Sequence, residues 1–180
     1  MLNFERIIDI EHPYFEEAFA LYEQSFPSYE RRSRADQIRA LDEKEYTYNL
    51  IKSAKGEVLG ILLYWDHADF FYIEHLAIHS NKRGQNIGTL TLSQLKEVVK
   101  KPIILEIDPP EDDISIKRKR FYETADFTYT DKIYTHHSYT KSAQAHELHI
   151  MSYPTISDAL FSTFKAYIKS HIMKYSEFNR

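Results

Sequence analysis

Alternating hydrophobic and polar positions predict the strands of this chain. Segments of this kind are rich in β-branched and aromatic residues and are bounded by turn-forming residues. They are residues 4–10, 46–53, 58–65, 70–79, 103–107, 127–135 and 147–153. The tetrapeptide Ala54-Lys55-Gly56-Glu57 between the second and third segments is typical of a hairpin turn.

Apolar residues spaced three and four apart predict helices in the intervening segments. These are residues 13–26, 30–41, 86–99, 111–124 and 156–173. The strand at 70–79, the helix at 86–99 and the strand at 103–107 form a βαβ unit. A helix between two strands is the usual crossover connection of a parallel pair. The chain is therefore predicted to be one α/β domain over residues 1–180.

Composition narrows the possible partners. A hydrophobic fraction of 43% and an aromatic fraction of 14% are typical of a packed globular protein. A net charge of −4 argues against a general nucleic-acid or membrane-surface binder, which needs an excess of Lys and Arg. No apolar run approaches the roughly 20 residues of a membrane span, and no signal peptide is recognisable, so we expect a cytoplasmic protein. The absence of Cys excludes thiolate metal sites and a cysteine nucleophile.

Residues 73–88 carry most of the chemical information. Here an apolar strand leads into a short basic loop, which opens the helix at 86–99. The first N–H groups of a helix lack internal partners and carry the positive end of its dipole, so this arrangement favours an anion such as a phosphate. Two of the four glycines, Gly84 and Gly88, fall in this loop, where small residues allow close approach of a ligand.

The stretch from Arg83 to Gly88 resembles the signature of the GNAT superfamily of N-acetyltransferases. That signature has Arg or Gln, two residues, Gly, one residue and then Gly or Ala. Asn86 replaces the first Gly, and Asn is well able to adopt the left-handed backbone that Gly would supply. Residues 118–127 are similar to the family's Phe-Tyr-Glu-x-x-Gly-Phe stretch, with Asp126 in place of its Gly.

The resemblance covers residues 3–153, with the helix at 156–173 beyond it. It implies a mixed, mostly antiparallel central sheet of about six or seven strands, with a splayed parallel pair and flanking helices. Acetyl-CoA would be the cosubstrate, and its pantetheine arm would enter the gap between the splayed strands 74–78 and 103–107. The residues implied in binding it are Leu76, Ala77, Ile78, Arg83, Gly84, Gln85, Asn86, Ile87, Gly88, Thr89 and Ser115.

The implied reaction is direct transfer of an acetyl group to a primary amine of an unidentified small molecule or protein. A backbone N–H near Leu76 would polarise the thioester carbonyl. Glu74 is predicted as the general base, because it lies two residues before Leu76 and hence on the same strand face. Tyr122 is predicted as the general acid for the departing thiolate.

Other interpretations stay open at this stage. The chain could be a non-catalytic acyl-CoA-binding module, or an unrelated phosphate-binding enzyme that takes a nucleotide without a pantetheine arm. Glu74 could serve as a salt-bridge partner and Tyr122 as a packed core residue. The basic cluster at residues 31–34 predicts either a solvated helix face or a clamp for an acidic acceptor or the cofactor's 3′-phosphate.

The histidines do not indicate a metal site. His75 and His79 should point away from Glu74 and pack within the covered sheet, because strand side chains alternate. The pair His136 and His137 lacks an accompanying thiolate or carboxylate set. We expect no metal, no nucleic-acid partner and no membrane partner, and either a monomer or a homodimer. Acceptor contacts are expected from residues 26–41 and 128–147.

Overall fold

The fold, taken from a computed structural model, is described for residues 1–179. Seven strands lie within these residues: β1 (Asn3–Ile7), β2 (Tyr46–Lys52), β3 (Val58–Asp66), β4 (Phe71–Ile78), β5 (Ile103–Ile107), β6 (Thr128–His136) and β7 (His146–Tyr153). They form one sheet in the order β1-β2-β3-β4-β5-β7-β6. Only the β4–β5 pair is parallel within the described residues, so the predicted mixed and mostly antiparallel sheet is confirmed.

Five α-helices flank the sheet within the described residues: α1 (Phe15–Ser25), α2 (Arg34–Leu41), α3 (Ile87–Val98), α4 (Asp113–Thr124) and α5 (Asp158–Ser170). The helix predicted from residue 30 begins only at Arg34, because Ser33 is extended and caps it through the N–H of Asp36. The last predicted helix stops at Ser170 and is followed by a 3₁₀ turn, Ile172–Tyr175. Among residues 1–179, no helix has the length and apolar character needed to cross a membrane.

The sheet buries a different core on each face. We call the side covered by α1, α2 and α5 the α1 face; Trp65, Tyr72 and Ile104 pack there. The side covered by α3 and α4 is the α3 face, where Phe71, Ile73 and Leu105 pack. Neighbouring residues of β4 and β5 thus go to opposite faces, as expected for strands with a two-residue repeat.

Strands β4 and β5 separate part-way along their length. Their parallel pairing joins Phe71, Tyr72 and Ile73 to Ile103, Ile104 and Leu105, and it extends no further. Beyond this point β4 continues beside β3, and β5 continues beside β7. The predicted splay is confirmed, and it leaves one edge of β4 from Glu74 to Ile78 without a strand partner.

A β-bulge lies in β4 at the point where the strands separate. Leu63 pairs with His75 and Tyr64 pairs with Ile73, so Glu74 has no residue of its own opposite it. An extra residue reverses the alternation of the side chains that follow it. The bulge therefore changes which faces the next residues occupy.

Side-chain contacts confirm the reversal. Glu74 contacts Trp65, and His75 lies against Tyr22 and Phe26, so both point to the α1 face. Leu76 packs on the α3 face. The prediction that Glu74 and Leu76 share a face is wrong, as is the prediction that His75 points away from Glu74, because the bulge interrupts the two-residue repeat.

Candidate active site

A cleft of about 730 Å³ opens where β4 and β5 separate. It reaches from the first turn of α3 on one side to the loop before α2 and the β6–β7 strands on the other. Most residues predicted from sequence line it: Glu74, Leu76, Ala77, Ile78, Arg83, Gly84, Asn86, Ile87, Gly88, Thr89 and Tyr122. Gln85 and Ser115 do not line it.

The first turn of α3 is open to a ligand. Asn86, the N-cap residue, has φ 58° and ψ 15° and makes no side-chain cap hydrogen bond. This left-handed conformation is the one predicted for Asn86 in place of Gly. Asp126 adopts it as well, at φ 67°. Since the first N–H groups of a helix have no intrahelical acceptor, those of Ile87, Gly88 and Thr89 are available to an anion in the cleft.

Gly88 also lets α3 and α4 come together. A Cβ atom at this position would lie 2.9 Å from Cζ of Phe121, which is closer than real contacts allow. The sequence predicts only one role for Gly88, which is to let a ligand come close to the backbone. The structure adds a packing requirement, because Phe121 fills the space that a side chain would need.

Basic side chains line the same end of the cleft. Lys82 pairs with Glu57 at 2.6 Å, and Arg83 donates through Nε to the carbonyl of Ile78 at 3.3 Å. Lys117 lines the cleft from α4, whereas Arg118 of the same helix pairs with Asp108 at 2.6 Å and acts on Glu30. Together with the helix start, Lys82 and Arg83 make this end suited to phosphate groups.

Two predicted cofactor residues have other contacts. The amide nitrogen of Gln85 donates to the carbonyl of Asn81 at 3.4 Å. The Ser115 hydroxyl accepts from the N–H of Asp112 at 3.1 Å, and the Asp112 carboxylate accepts from the N–H of Ser115 at 2.8 Å. This reciprocal pair is the capping box of α4, so the structure gives Ser115 a helix-capping position.

Glu74 is held by a buried cation. Its two carboxylate oxygens accept from the terminal nitrogens of Arg32, both at 2.8 Å, and further from Trp65 Nε1 at 3.1 Å and from the Tyr139 hydroxyl. Burial acts to raise the pKa of Glu74, but the positive charge of Arg32 and the hydrogen bonds from Arg32 and Tyr139 lower it to about 2. A carboxylate so stabilised has little affinity for a proton.

The basic cluster at residues 31–34 is engaged within the protein. Arg32 is 0% exposed and paired with Glu74, so neither the solvated face nor the ligand clamp predicted for it is correct. Arg31 pairs with Glu23 at 2.9 Å, and Arg34 pairs with Glu16 at 2.5 Å. Arg32 is buried because the loop before α2 folds it onto the β4 bulge.

Glu106 on β5 is a cleft residue that sequence reasoning missed. Its Oε2 accepts from the Tyr72 hydroxyl at 2.7 Å, and its Oε1 accepts from the Tyr134 hydroxyl. Burial raises its pKa to about 8; the Tyr72 hydrogen bond opposes this, and the nearby charges of Glu74 and Glu30 add to it. The sequence feature that could have identified Glu106 is a single acidic residue in the apolar run Ile103-Ile104-Leu105-Glu106-Ile107.

Other titratable groups line the α1 side of the cleft. Burial and the charge of Asp108 raise the pKa of Glu30 to about 7, and Arg118 opposes this. Burial lowers the pKa of His136 and of His75 to about 4, so both rings are neutral at pH 7. Among residues 1–179, no group of three or more His, Asp or Glu side chains is arranged to hold a metal ion.

Tyr122 enters the cleft from α4. Its ring lies 5.0 Å from that of Phe121 and 6.0 Å from that of Phe127, measured between centroids. Its hydroxyl has no hydrogen-bond partner within the described chain. Burial raises the pKa of Tyr122 above 10, so the hydroxyl carries its proton at neutral pH.

Comparison with known proteins identifies the family. The sequence model of the Acetyltransferase (GNAT) family matches residues 4–127. The chain belongs to the GNAT acetyltransferase family. It is similar to "Putative acetyltransferase YjbC" of Bacillus subtilis, with 31% identity over 110 residues. That match covers 60% of this chain and 55% of the relative, so the chain spans about half the length of YjbC.

Solved GNAT structures share this fold. A "Putative acetyltransferase from GNAT family" of Bacteroides thetaiotaomicron superposes with a TM-score of 0.87 at 24% identity, covering 95% of this chain and 98% of that one. A GNAT acetyltransferase of Elizabethkingia anophelis, solved with acetyl-CoA bound, superposes with a TM-score of 0.55 at 13% identity, covering 84% and 96%. At these identities the likeness shows the fold alone.

In this GNAT chain the separated strands divide the cleft into two chemically different sides. The α3 side presents the open helix start, the basic residues and Tyr122. The α1 side presents Glu74, Glu106, Glu30 and the neutral histidines. One side therefore suits an anionic ligand, and the other suits a cationic one.

Proposed function

We propose that this protein transfers an acetyl group from acetyl-CoA to a primary amine. The observation that carries the proposal is the cleft between β4 and β5, which leads from an unpaired strand edge to the uncapped start of α3. Membership of the GNAT family supports it, as does the acetyl-CoA bound to the Elizabethkingia relative. The acidic α1 side suits an acceptor that arrives as an ammonium ion.

The residues present fit acetyl-CoA. The main chain of β4 from Glu74 to Ile78 is unpaired toward β5 and can hydrogen-bond an extended ligand, as a neighbouring strand would. The N–H groups at the start of α3, with Lys82 and Arg83, would hold the phosphates. Bound there, acetyl-CoA supplies a thioester that an amine can attack, and the N–H of Leu76 is the proposed donor to its carbonyl oxygen.

Proton transfers complete the proposed reaction. An amine attacks only when it is neutral, so a base must take the proton of its ammonium form. Glu74, with a pKa of about 2 and a bound guanidinium, is a poor acceptor for that proton. We assign it instead to holding the bulged strand in place. The Tyr122 hydroxyl is the proposed donor to the leaving thiolate.

Two measurements test this function. Acetyl-CoA should raise the melting temperature, with a gain of roughly 2.7 kcal/mol at about 100 times its dissociation constant. The second measurement is the release of free CoA thiol, which we expect when a panel of primary amines is added. ADP is the control ligand, because it carries a pyrophosphate but lacks the pantetheine arm. If ADP stabilises the protein as much as acetyl-CoA does, the site belongs to a nucleotide enzyme of different chemistry.

A non-catalytic acyl-CoA-binding module is the second candidate. It is favoured by the ion pair that occupies Glu74, the side chain predicted as the base. Binding of acetyl-CoA without transfer to any amine would support this candidate and would contradict acetyl transfer. A protein that shows no thermal shift with acetyl-CoA at millimolar concentration would contradict both.

A further inference from the structure

Glu106 lies at the point where β4 and β5 part. The last parallel pair is Ile73 with Leu105, so Glu106 is the first residue of β5 beyond it. Ile104 packs on the α1 face, and Glu106, two residues later, points the same way. Its contacts agree, because Tyr72 and Tyr134 both belong to the core on that face. The carboxyl group therefore borders the cleft on the side that suits a cation.

The Glu106 carboxylate has lone pairs that accept no hydrogen bond within residues 1–179. A carboxylate offers about four lone-pair sites. Each oxygen of Glu106 accepts one hydrogen bond, from a neutral phenol, and no cation pairs with it within residues 1–179. Glu74 accepts from two guanidinium nitrogens, an indole and a phenol. Of these two glutamates, Glu106 is the one whose ionised form has no cation beside it within residues 1–179.

We propose that Glu106, rather than Glu74, takes the proton from the acceptor amine, directly or through one water. The proposal rests on the acetyl transfer proposed above. The ammonium N–H bond breaks, its electron pair stays on nitrogen, and an O–H bond forms on Glu106. The neutral amine then forms a C–N bond to the thioester carbonyl carbon. The C–S bond breaks, and the departing thiolate takes the Tyr122 proton. The nitrogen, positively charged after attack, releases its second proton to water and becomes the amide; Tyr122 regains a proton from water, and Glu106 releases its own to water.

Proton affinities separate the two glutamates. An alkylammonium has a pKa of roughly 10.4. Glu74, with a pKa of about 2, is a very poor acceptor for that proton. Glu106, with a pKa of about 8, is a much better one. A base poised near the working pH is the more effective one.

The groups that surround Glu106 set the expected pH dependence. Tyr72 and Glu74 face it from β4, Tyr134 from β6, and Glu30 from the loop before α2. The Tyr72 hydrogen bond favours the ionised form, whereas the negative charges of Glu74 and Glu30 favour the protonated form. Removing the Tyr72 hydroxyl should therefore raise the pKa of Glu106, and removing the Glu30 charge should lower it.

The test compares Glu106→Gln, Glu30→Gln and Tyr72→Phe with the wild type. Steady-state rates are measured with saturating acetyl-CoA and the best amine from about pH 6 to about pH 10, alongside calorimetric binding of acetyl-CoA. We expect Glu106→Gln to bind acetyl-CoA normally, to lose kcat by about 10²- to 10⁴-fold and to lose the acid limb of the kcat profile. Glu30→Gln should keep that limb, moved to lower pH, and Tyr72→Phe should move it to higher pH.

Each contrary result has a distinct meaning. Transfer that keeps its rate and acid limb in Glu106→Gln overturns this proposal alone. Loss of the limb in Glu30→Gln instead assigns the proton to Glu30 and also overturns it. A wild type that binds acetyl-CoA but acetylates no amine overturns the proposed function, and this proposal with it. If Glu106→Gln does not fold, an unmoved limb in folded Tyr72→Phe overturns the assignment.

Discussion

Both terminal nitrogens of Arg32 lie 2.8 Å from the carboxylate oxygens of Glu74, and the two side chains are 0% and 2% exposed. The Arg32 guanidinium also lies over the rings of Tyr46, Trp65 and Tyr139, at 5.3, 5.5 and 4.8 Å from their centroids. The pair joins the loop before α2 to the bulge of β4. It therefore fixes the backbone at the point where the cleft begins.

Removing Arg32 should be strongly destabilising. Arg32→Met leaves the Glu74 carboxylate buried without its cation, which typically costs about 3–5 kcal/mol in free energy of unfolding. Urea denaturation measures the loss. Arg34→Met is the matched control, because its pair with Glu16 is exposed to solvent, and it should change stability little.

A double variant separates the pair from its parts. Arg32→Met combined with Glu74→Met should recover much of the stability, since a buried ion pair can be replaced by apolar groups at little cost. A double variant as unstable as Arg32→Met alone would show that the cost comes from the aromatic contacts of Arg32 and not from an unpaired charge.

Glu106 should make stability fall as the pH rises. Its pKa of about 8 in the folded protein lies above the usual 4.5, so folding favours the protonated form. That stabilisation is complete below about pH 4.5 and is lost as the pH rises through about 8. Relative to the wild type, Glu106→Gln should gain up to about 1.4 kcal/mol per pH unit across this window. Denaturant unfolding at several pH values measures the difference, and a constant difference would contradict the prediction.

Gly88→Ala should disturb both packing and cofactor binding. The new Cβ would meet the Phe121 ring at 2.9 Å, so either that ring or helices α3 and α4 must shift, at a cost of about 1–3 kcal/mol. Acetyl-CoA affinity, measured by calorimetry, should fall as the start of α3 moves. Phe121→Leu should restore stability in the Gly88→Ala background.

Gly84→Ala provides the contrast for this rescue. Gly84 has φ 76°, and a Cβ atom added to it would meet no atom within 4 Å, so the cost of the alanine is one of backbone conformation. Phe121→Leu should not relieve that cost. Equal rescue of both alanine variants would refute the direct contact between residue 88 and Phe121.

Tyr122→Phe should separate catalysis from packing. Its hydroxyl has no partner within the described chain, so removing it should leave the melting temperature nearly unchanged. If the hydroxyl protonates the thiolate, kcat should drop by about 10²- to 10⁴-fold, while acetyl-CoA affinity moves much less. Tyr64→Phe, at a ring stacked on Phe71 and outside the cleft, is the control and should keep full activity.

Smaller losses in Tyr122→Phe would define a different role. A decrease of only a few-fold would mean that the hydroxyl positions the sulfur while the thiolate leaves without its proton. Full activity in a stable Tyr122→Phe protein would contradict the assignment of Tyr122 as the acid.

Short-range features of the sequence determined the elements and the helix start that forms one end of the cleft. The strand predicted at residues 103–107 is β5, and the helix predicted at 86–99 is α3, Ile87–Val98. The left-handed conformations expected of Asn86 and Asp126 are present, at φ 58° and 67°. Periodicity, helix starts and turn conformations depend on neighbours in the chain, and the sequence displays those neighbours directly.

Only the tertiary structure decided the chemistry of the glutamates. Arg32 and Glu74 are 42 residues apart, and Glu106 is 34 residues from Tyr72 and 28 from Tyr134. The bulge that places His75 on the same face as Glu74 likewise depends on how β4 pairs with β3. A carboxyl group's proton affinity depends on the charges, donors and burial around it, and distant segments supply these. The motif marks the proposed cofactor site, while packing decides which glutamate is bound to a cation and which is not.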